Sequence, residues 1–274
     1  MSVGPEKRAE FVKKIWEYYE KQGRHDLPWR HTSDPYRIFV SEVMLQQTQV
    51  GRVLTKYPEW LERFPNWQTL ASSTPQQVIH AWQGMGYNRR ALSLRLSAQK
   101  VVEEYNGVLP SDPSLLITFP GIGATTSGSI AAFAFNSPTI FIETNIRRVY
   151  IHAFFPRKGA VTDDMIIPIL KKTVPQDRPR EWYWALMDYG SYLVKQVPNP
   201  NRRSAHYTRQ SQFEGSNRQI RGAVLRHLVE RPNISSQGLA KALKIDQQIL
   251  ERNLGQLLRE GFLEKDNKKY RLKQ

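Results

Sequence analysis

Residues 119–123 read Phe-Pro-Gly-Ile-Gly and lie between two segments with helical patterning, Ser114 to Thr118 and Thr125 to Phe135. Pro120 ends the first segment, and the two glycines allow a tight turn with backbone dihedrals that other residues rarely adopt. Glycines here also let backbone N–H groups approach a phosphate closely at the N-terminus of the next helix. The stretch therefore predicts two helices joined by a hairpin, either as an ordinary turn or as a site that grips a nucleic-acid backbone without reading its sequence.

Helical patterning continues on both sides of this hairpin. Apolar residues recur at helical spacing over most of residues 1–195, and strand signals are scarce before Gly261. Besides the two segments beside the hairpin, the predicted helices are Glu6 to Tyr19, Ile38 to Leu54, Pro75 to Gln83, Arg90 to Tyr105, Thr144 to Phe155, Thr162 to Thr173 and Arg180 to Val194. We therefore expect an all-α domain over residues 1–195.

The chain then changes character. Residues 196–216 are rich in Pro, Asn, Ser and Arg, which predicts a basic linker. Residues 217–274 show three helical segments followed by an alternating stretch around Asp266-Asn267, a hairpin turn signal. This order is typical of a winged-helix domain, in which the third helix and the hairpin often face DNA. A module that binds another protein fits the same pattern.

Charge and composition narrow the function classes. The chain has 274 residues, with 40 Lys and Arg against 25 Asp and Glu, a net charge of +15. Such an excess favours a polyanionic partner, most often nucleic acid. There is no cysteine, which excludes disulfides, thiol nucleophiles and an iron–sulfur cluster held by this chain's own thiolates. We find no signal peptide and no membrane-spanning segment, and we expect a cytoplasmic, nucleoid-associated protein.

Two carboxylates stand in unusual surroundings. Glu42 lies in an apolar run beside three glutamines, where a raised pKa would let it act as a general acid near neutral pH. A surface pair with an arginine is the alternative. Glu143 directly precedes a predicted helix, where it caps the helix or faces Glu42 across a cleft. Two carboxylates beside a sugar–base bond can divide the work, one protonating the leaving group and the other stabilising the cationic sugar or activating water.

At this point five stretches of residues 5–195 together resemble the MutY-type adenine DNA glycosylases, in the superfamily of helix-hairpin-helix glycosylases that includes endonuclease III. The stretches are Leu27-Pro28-Trp29-Arg30, Ser41-Glu42-Val43-Met44-Leu45-Gln46-Gln47-Thr48-Gln49-Val50, Gly84-Met85-Gly86-Tyr87, Phe119-Pro120-Gly121-Ile122-Gly123 and Ala185-Leu186-Met187-Asp188-Tyr189-Gly190. The resemblance implies a two-lobed, mainly α fold with double-stranded DNA in the cleft and the target base flipped out of the stack. The predicted winged-helix domain follows this two-lobed fold in the chain.

The resemblance also implies roles for individual residues. Glu42 protonates the flipped adenine, while Gln47, with Gln46 beside it, and Tyr87 lie at the wedge that enters the vacated stack. The hairpin from Gly121 to Gly123 holds a backbone phosphate, with a monovalent cation as a further candidate. Thr125 occupies the position where bifunctional relatives carry a lysine that forms a Schiff base, so a monofunctional enzyme is expected.

Three departures from the family pattern are visible. The family has Asp where this chain has Glu143, and one extra methylene moves the carboxylate by about a bond length. The family's four cluster cysteines are absent from residues 196–215. Finally, the winged helix stands in place of a nudix-like domain that checks for 8-oxoguanine. We predict that Arg202, Arg203 and Arg209 replace the cluster loop as DNA contacts.

The resemblance thus implies a monomeric, monofunctional glycosylase of base excision repair that removes adenine mispaired with 8-oxoguanine or guanine. Two alternatives remain open at this point: a related enzyme for thymine or uracil opposite guanine, and a catalytically weak protein that binds damaged DNA. Glu42 favours adenine, because a purine ring nitrogen needs an acid whereas a pyrimidine leaves as a hydrogen-bonded anion.

Overall fold

The computed structural model describes residues 3–208 and 212–273 and is mainly helical, as the sequence predicted. Its helices are α1 (Pro5–Gln22), α2 (Pro35–Leu45), α3 (Val50–Arg63), α4 (Trp67–Ser72), α5 (Pro75–Ala81), α6 (Arg89–Glu104), α7 (Pro113–Leu116), α8 (Ala124–Phe135), α9 (Thr144–Phe154), α10 (Asp163–Leu170), α11 (Pro179–Gln196), α12 (Asn217–Glu230), α13 (Ser236–Leu243) and α14 (Gln247–Arg259). Its strands are β1 (Ile234–Ser235), β2 (Leu263–Asp266) and β3 (Lys269–Leu272). Among the described residues, no helix combines the length and the apolar composition needed to cross a membrane.

The chain forms two compact units, each built from separate stretches of sequence. The first contains residues 3–42, 110–118 and 122–208, and the second contains residues 43–109, 119–121 and 212–273. The division predicted from sequence order, with boundaries at 195 and 216, stays a prediction.

The first unit packs α1, α9 and α11 around buried aromatic side chains. Phe11 on α1 meets Tyr150 and Phe154 on α9 edge to face, with ring centroids 5.2 and 4.8 Å apart. Gly190 on α11 sets the closest approach of that helix to α9. A Cβ atom there would lie 2.6 Å from the carbonyl oxygen of Asn145, so only glycine fits.

The second unit shows where the sequence prediction of one helix from Ile38 to Leu54 is wrong. Gln47 adopts a left-handed conformation with φ of 52°, and the chain ends α2 at Leu45 before α3 begins at Val50. The guanidinium of Arg90 on α6 stabilises this break. It donates to the carbonyl oxygens of Val43 (3.0 Å) and Met44 (2.9 Å), which lie in the last turn of α2, and to that of Gln46 (2.5 Å), just after the helix ends.

The C-terminal module, residues 217–272, has the predicted order of three helices and a hairpin. The hairpin strands β2 and β3 pair antiparallel, and the short β1 pairs antiparallel with the other edge of β3. The turn between β2 and β3 places Asn267 and Lys268 at φ of 45° and 67°. The module's core also takes in Ile79 of α5, so that the module shares one apolar cluster with an element of residues 43–109.

Residues 199–204 pack against α9 in the first unit. The side chain of Asn201, which is buried, donates to the carbonyl of Thr144 (2.9 Å), and the backbone N–H of Val161 donates to the carbonyl of Arg203 (2.8 Å). This stretch therefore has a structural role at the place where the resemblance implies a cluster loop.

Candidate active site

Glu42 is half-buried on α2, and its carboxyl group is hydrogen-bonded to the buried Ser129 of α8. The hydroxyl of Ser129 lies 2.6 Å from Glu42 Oε2 and 3.0 Å from the carbonyl oxygen of Thr126. When Glu42 is ionised, Ser129 donates to it. When Glu42 is protonated, it can donate to Ser129, which then donates to Thr126. Both protonation states of Glu42 are thus hydrogen-bonded.

The surroundings of Glu42 raise its pKa to about 7. Burial is the main cause, because the charged form loses its hydration. The negative charge of Glu143 raises the pKa further, whereas the hydrogen bond from Ser129 and the charge of Arg30 lower it. A carboxyl group with a pKa near the working pH suits general acid catalysis.

Glu143 caps α9, the structural role that the sequence left open for it. Its Oε1 accepts from the backbone N–H groups of Asn145 (2.7 Å) and Ile146 (2.8 Å), and the side chain of Asn145 donates to Oε2 (3.2 Å). Burial raises the pKa of Glu143, and the two backbone hydrogen bonds oppose that rise because they favour the charged form. The negative charge of Glu143 also raises the pKa of Glu42. Glu143 therefore serves both as the cap of α9 and as the second carboxylate of the site.

Arg30 contributes positive charge to the same site and is fixed by the buried Asp188 of α11. The guanidinium of Arg30 donates to both carboxylate oxygens, at 2.7 and 2.9 Å, and Arg24 Nε donates to Asp188 at 2.6 Å. Burial opposes ionisation of Asp188, but these hydrogen bonds and charges outweigh it and hold the pKa below its usual value. Such a buried bidentate pair holds the guanidinium in one orientation.

Thr125 and Gly123 lie at the start of α8. The exposed Thr125 donates its hydroxyl to the carbonyl of Ile142 at 3.4 Å, next to Glu143 in the sequence. Gly123 is the N-cap of α8 and provides no side-chain cap, so the first N–H groups of the helix are not satisfied by a capping side chain. These features fit the predicted backbone contact.

Gly121 and the predicted wedge residues lie in the second unit. Gly121 has φ of +77°, and a Cβ atom there would lie 2.9 Å from Ser93 Oγ, which explains the glycine. Gln46 donates to the carbonyl of Gly121 at 3.2 Å. Gln47 is exposed, and Tyr87 is 37% exposed with a left-handed backbone at φ of 46°.

Of the three arginines of the linker, Arg202 and Arg203 differ in their exposure and contacts. Arg202 is exposed, and Arg209 lies outside the described residues. The guanidinium of Arg203 donates to the carbonyls of Phe155 and Ile151, at the C-terminal end of α9. A cation at this end also complements the helix dipole.

Sequence reasoning missed several residues of the site. Ser129 was part of a buried Ser- and Ala-rich helix, and a hydroxyl in such a helix was the available signal. Asp188 stands in the motif from Ala185 to Gly190, which indicates the family but gives Asp188 no separate role. Arg218 was not singled out, although its side chain donates to the hydroxyl of Tyr87 at 2.5 Å and lies 5.4 Å from the ring centroid.

No group of three or more His, Asp or Glu side chains is arranged to hold a metal ion within residues 3–208 and 212–273. The sequence itself contains no cysteine.

Comparison with known proteins defines the class. The sequence profile of the HhH-GPD superfamily, base excision DNA repair proteins, matches residues 40–176, which is half of the chain. An adenine DNA glycosylase of Mycolicibacterium smegmatis is 33% identical over 219 residues, covering 74% of this chain and 75% of that protein. An adenine DNA glycosylase of Buchnera aphidicola is 34% identical over 196 residues, covering 70% of this chain but 55% of the Buchnera protein.

A solved structure shares the fold. The chain superposes on a thermostable thymine-DNA glycosylase with a TM-score of 0.62 and 23% identity, over 73% of this chain and 91% of that one.

The match to the sequence profile and the similarity to adenine DNA glycosylases define the family. The chain belongs to the HhH-GPD superfamily of base excision DNA repair proteins and, within it, to the adenine DNA glycosylase family.

Proposed function

We propose that this chain is a monofunctional DNA glycosylase that hydrolyses the N-glycosidic bond of a flipped adenine mispaired with guanine or 8-oxoguanine. The observation that carries the proposal is the pair of Glu42 and Ser129, a carboxyl group with its pKa raised to about 7 and hydrogen-bonded in both protonation states. The adenine DNA glycosylases among its relatives support the choice of base.

The reaction uses the two carboxylates in different protonation states. Glu42 donates its proton to a ring nitrogen of adenine, and the electron pair of the glycosidic bond leaves with the neutral base. We assign the charged role to Glu143, because the N–H groups of Asn145 and Ile146 donate to its carboxylate and oppose the burial that raises its pKa. In its ionised form Glu143 stabilises the cationic sugar. Water adds to the sugar cation and gives its proton to the Glu42 carboxylate, which restores the acid and leaves an abasic site and free adenine.

We propose that the protein does not cleave the DNA strand. Thr125 has no amine with which to form a Schiff base. Water is therefore the only nucleophile that the proposal requires, and the DNA strand remains intact until a separate step acts on the abasic site.

DNA contacts complete the proposal. The net charge of +15 favours a duplex partner. We propose backbone contacts at Gly121, Gly123 and Thr125, with a monovalent cation at this hairpin, and wedge roles for Gln46, Gln47 and Tyr87. Arg202 and Arg209 remain proposed phosphate contacts, and Arg203 joins them only if it can leave the α9 carbonyls.

We propose a glycosylase domain at residues 1–195, a basic linker at 196–216 and a winged-helix domain at 217–274. The protein acts as a monomer on double-stranded DNA and associates with the nucleoid.

A panel of labelled duplexes tests the proposed function. Each duplex holds one mispair, and alkali cleaves abasic sites after incubation with the full chain. We expect cleavage of the adenine strand opposite guanine and 8-oxoguanine, none without alkali, and no protein–DNA adduct with borohydride present. Release of thymine or uracil opposite guanine, without adenine release, would overturn the assignment. Tight binding without release of any base would favour a damage-binding protein.

A further inference from the structure

The second unit contains a cavity of about 720 Å³ that involves both the loop at residues 83–88 and helix α12 of the C-terminal module. This volume lies within the range of about 300–1,000 Å³ that is usual for ligand sites. Gln47 and Tyr87, which lie outside the C-terminal module, form part of its wall, and Arg218 and Leu225 of α12 form another part. The contact of Arg218 with Tyr87 joins the two parts.

Charge in this cavity has a single sign. Its lining includes Arg52, Arg218 and Arg226, and the described residues that line it include no carboxylate. Arg52 and Arg226 are exposed. A concave surface lined by cations alone attracts anions, and phosphate is the anion that DNA presents repeatedly.

The cavity also has an aromatic wall. Phe213 is 57% exposed, the most exposed aromatic side chain within residues 3–208 and 212–273. Exposed aromatic rings beside cationic side chains are the pattern with which proteins bind unpaired nucleotides, the ring stacking on a base and the cations contacting the backbone.

The distribution of charge in the module favours α12 over the usual recognition helix. Helix α12 carries three arginines against one glutamate. Helix α14 carries two arginines against one glutamate and is flanked by Asp246 and Glu260. The third helix of this module is therefore poorly suited to a phosphate backbone.

We propose that this cavity binds the nucleotide that loses its pairing partner when the target base is extruded, with the base stacked on Phe213 and its flanking phosphates at Arg52 and Arg226. This inference rests on the proposed function, because extrusion of one base leaves the opposite base unpaired. It assigns the DNA-facing side of the C-terminal module to α12.

The test uses the full chain and a duplex in which a tetrahydrofuran abasic analogue replaces the target nucleotide, opposite 2-aminopurine. Affinity is measured at several salt concentrations, and the fluorescence of 2-aminopurine reports stacking. The variants are Phe213→Ala and Arg226→Ala. Their matched controls are Tyr207→Ala, an exposed aromatic residue outside the cavity, and Arg252→Ala, an exposed arginine on α14.

We expect Phe213→Ala to weaken binding about tenfold or more and to reduce the fluorescence change. Arg226→Ala should lower the log–log salt slope by about 0.7 to 0.9, the value of one phosphate contact, whereas both controls behave as the unsubstituted chain. Unchanged binding by both cavity variants, or an equal loss in Arg252→Ala, would overturn the inference. If the cavity variants fail this test but the unsubstituted chain releases adenine from a mispaired duplex, only the cavity assignment is wrong. If the unsubstituted chain neither binds the duplex nor releases adenine, the proposed function is wrong as well.

Discussion

Glu42 shows how one residue type acquires a chemical role from its surroundings. A carboxyl group on a half-buried helix needs a polar partner, and Ser129 supplies one that serves both protonation states. The sequence marked Glu42 because a carboxylate in an apolar run is costly unless it is paired or neutral. It did not mark Ser129, because 87 residues separate the two partners and only the fold brings them together.

Ser129→Ala should move the pH dependence of base release to higher pH. The hydrogen bond from Ser129 stabilises the ionised form of Glu42, so its loss raises the pKa of Glu42 above about 7. The maximal rate should also fall, because Glu42 loses a group that orients it. Single-turnover rates across pH measure both effects. Ser127→Ala is the control, since the hydroxyl of the equally buried Ser127 bonds within α8, to the carbonyl of Ala124 (3.0 Å). An unshifted profile in Ser129→Ala would separate Ser129 from the acid.

Arg90 shows how one side chain sets the ends of several elements. Besides the carbonyls at the end of α2, it donates to the carbonyls of Met85 (3.3 Å) and Gly86 (3.0 Å), which lead to Tyr87. Local patterning predicts most helices to within a few residues, including the start of α5 at Pro75. It could not predict the break after Leu45, because the partner of those carbonyls lies more than forty residues away.

Arg90→Lys should destabilise the second unit although it keeps the charge. A lysine ammonium cannot reach six acceptors in a fixed planar arrangement, so several buried carbonyls lose their partners. We expect a loss of about 3 kcal/mol in the free energy of unfolding, measured by urea denaturation. Arg89→Lys provides the control, since the side chain of Arg89 is 70% exposed and its pair with Glu260 contributes little. Equal stability of the two variants would contradict the role of Arg90.

At the scale of the whole molecule, the compact units do not follow sequence order. The C-terminal module has three helices and a hairpin, as the sequence predicts from three helical segments and a turn signal, and β1 adds a third strand to the hairpin. Its packing was not predictable, because Ile79 looked like an ordinary apolar residue of a short helix. In the structure Ile79 is 3% exposed within the module's apolar cluster, with the partly buried Leu92 of α6 packed against it.

Removal of residues 212–274 should therefore do more than weaken DNA binding. It uncovers Ile79 and Leu92, and an exposed apolar patch of this kind promotes association. We expect the shortened chain to self-associate in sedimentation experiments and to melt at a lower temperature, and Ile79→Gln in that chain to reduce the association. A shortened chain that stays monomeric and keeps the melting temperature would show that the module is energetically independent.

The central claim is that Glu42 is the acid that releases adenine, and the pH dependence of single-turnover adenine release tests it most directly. The acid acts in its protonated form, so the rate should be constant below the pKa of about 7 and fall tenfold for each pH unit above it. Glu42→Gln keeps the shape of the side chain and should bind the mispaired duplex without releasing adenine at any pH. Adenine release by Glu42→Gln near the unsubstituted rate, or a rate that rises through pH 7, would contradict the account.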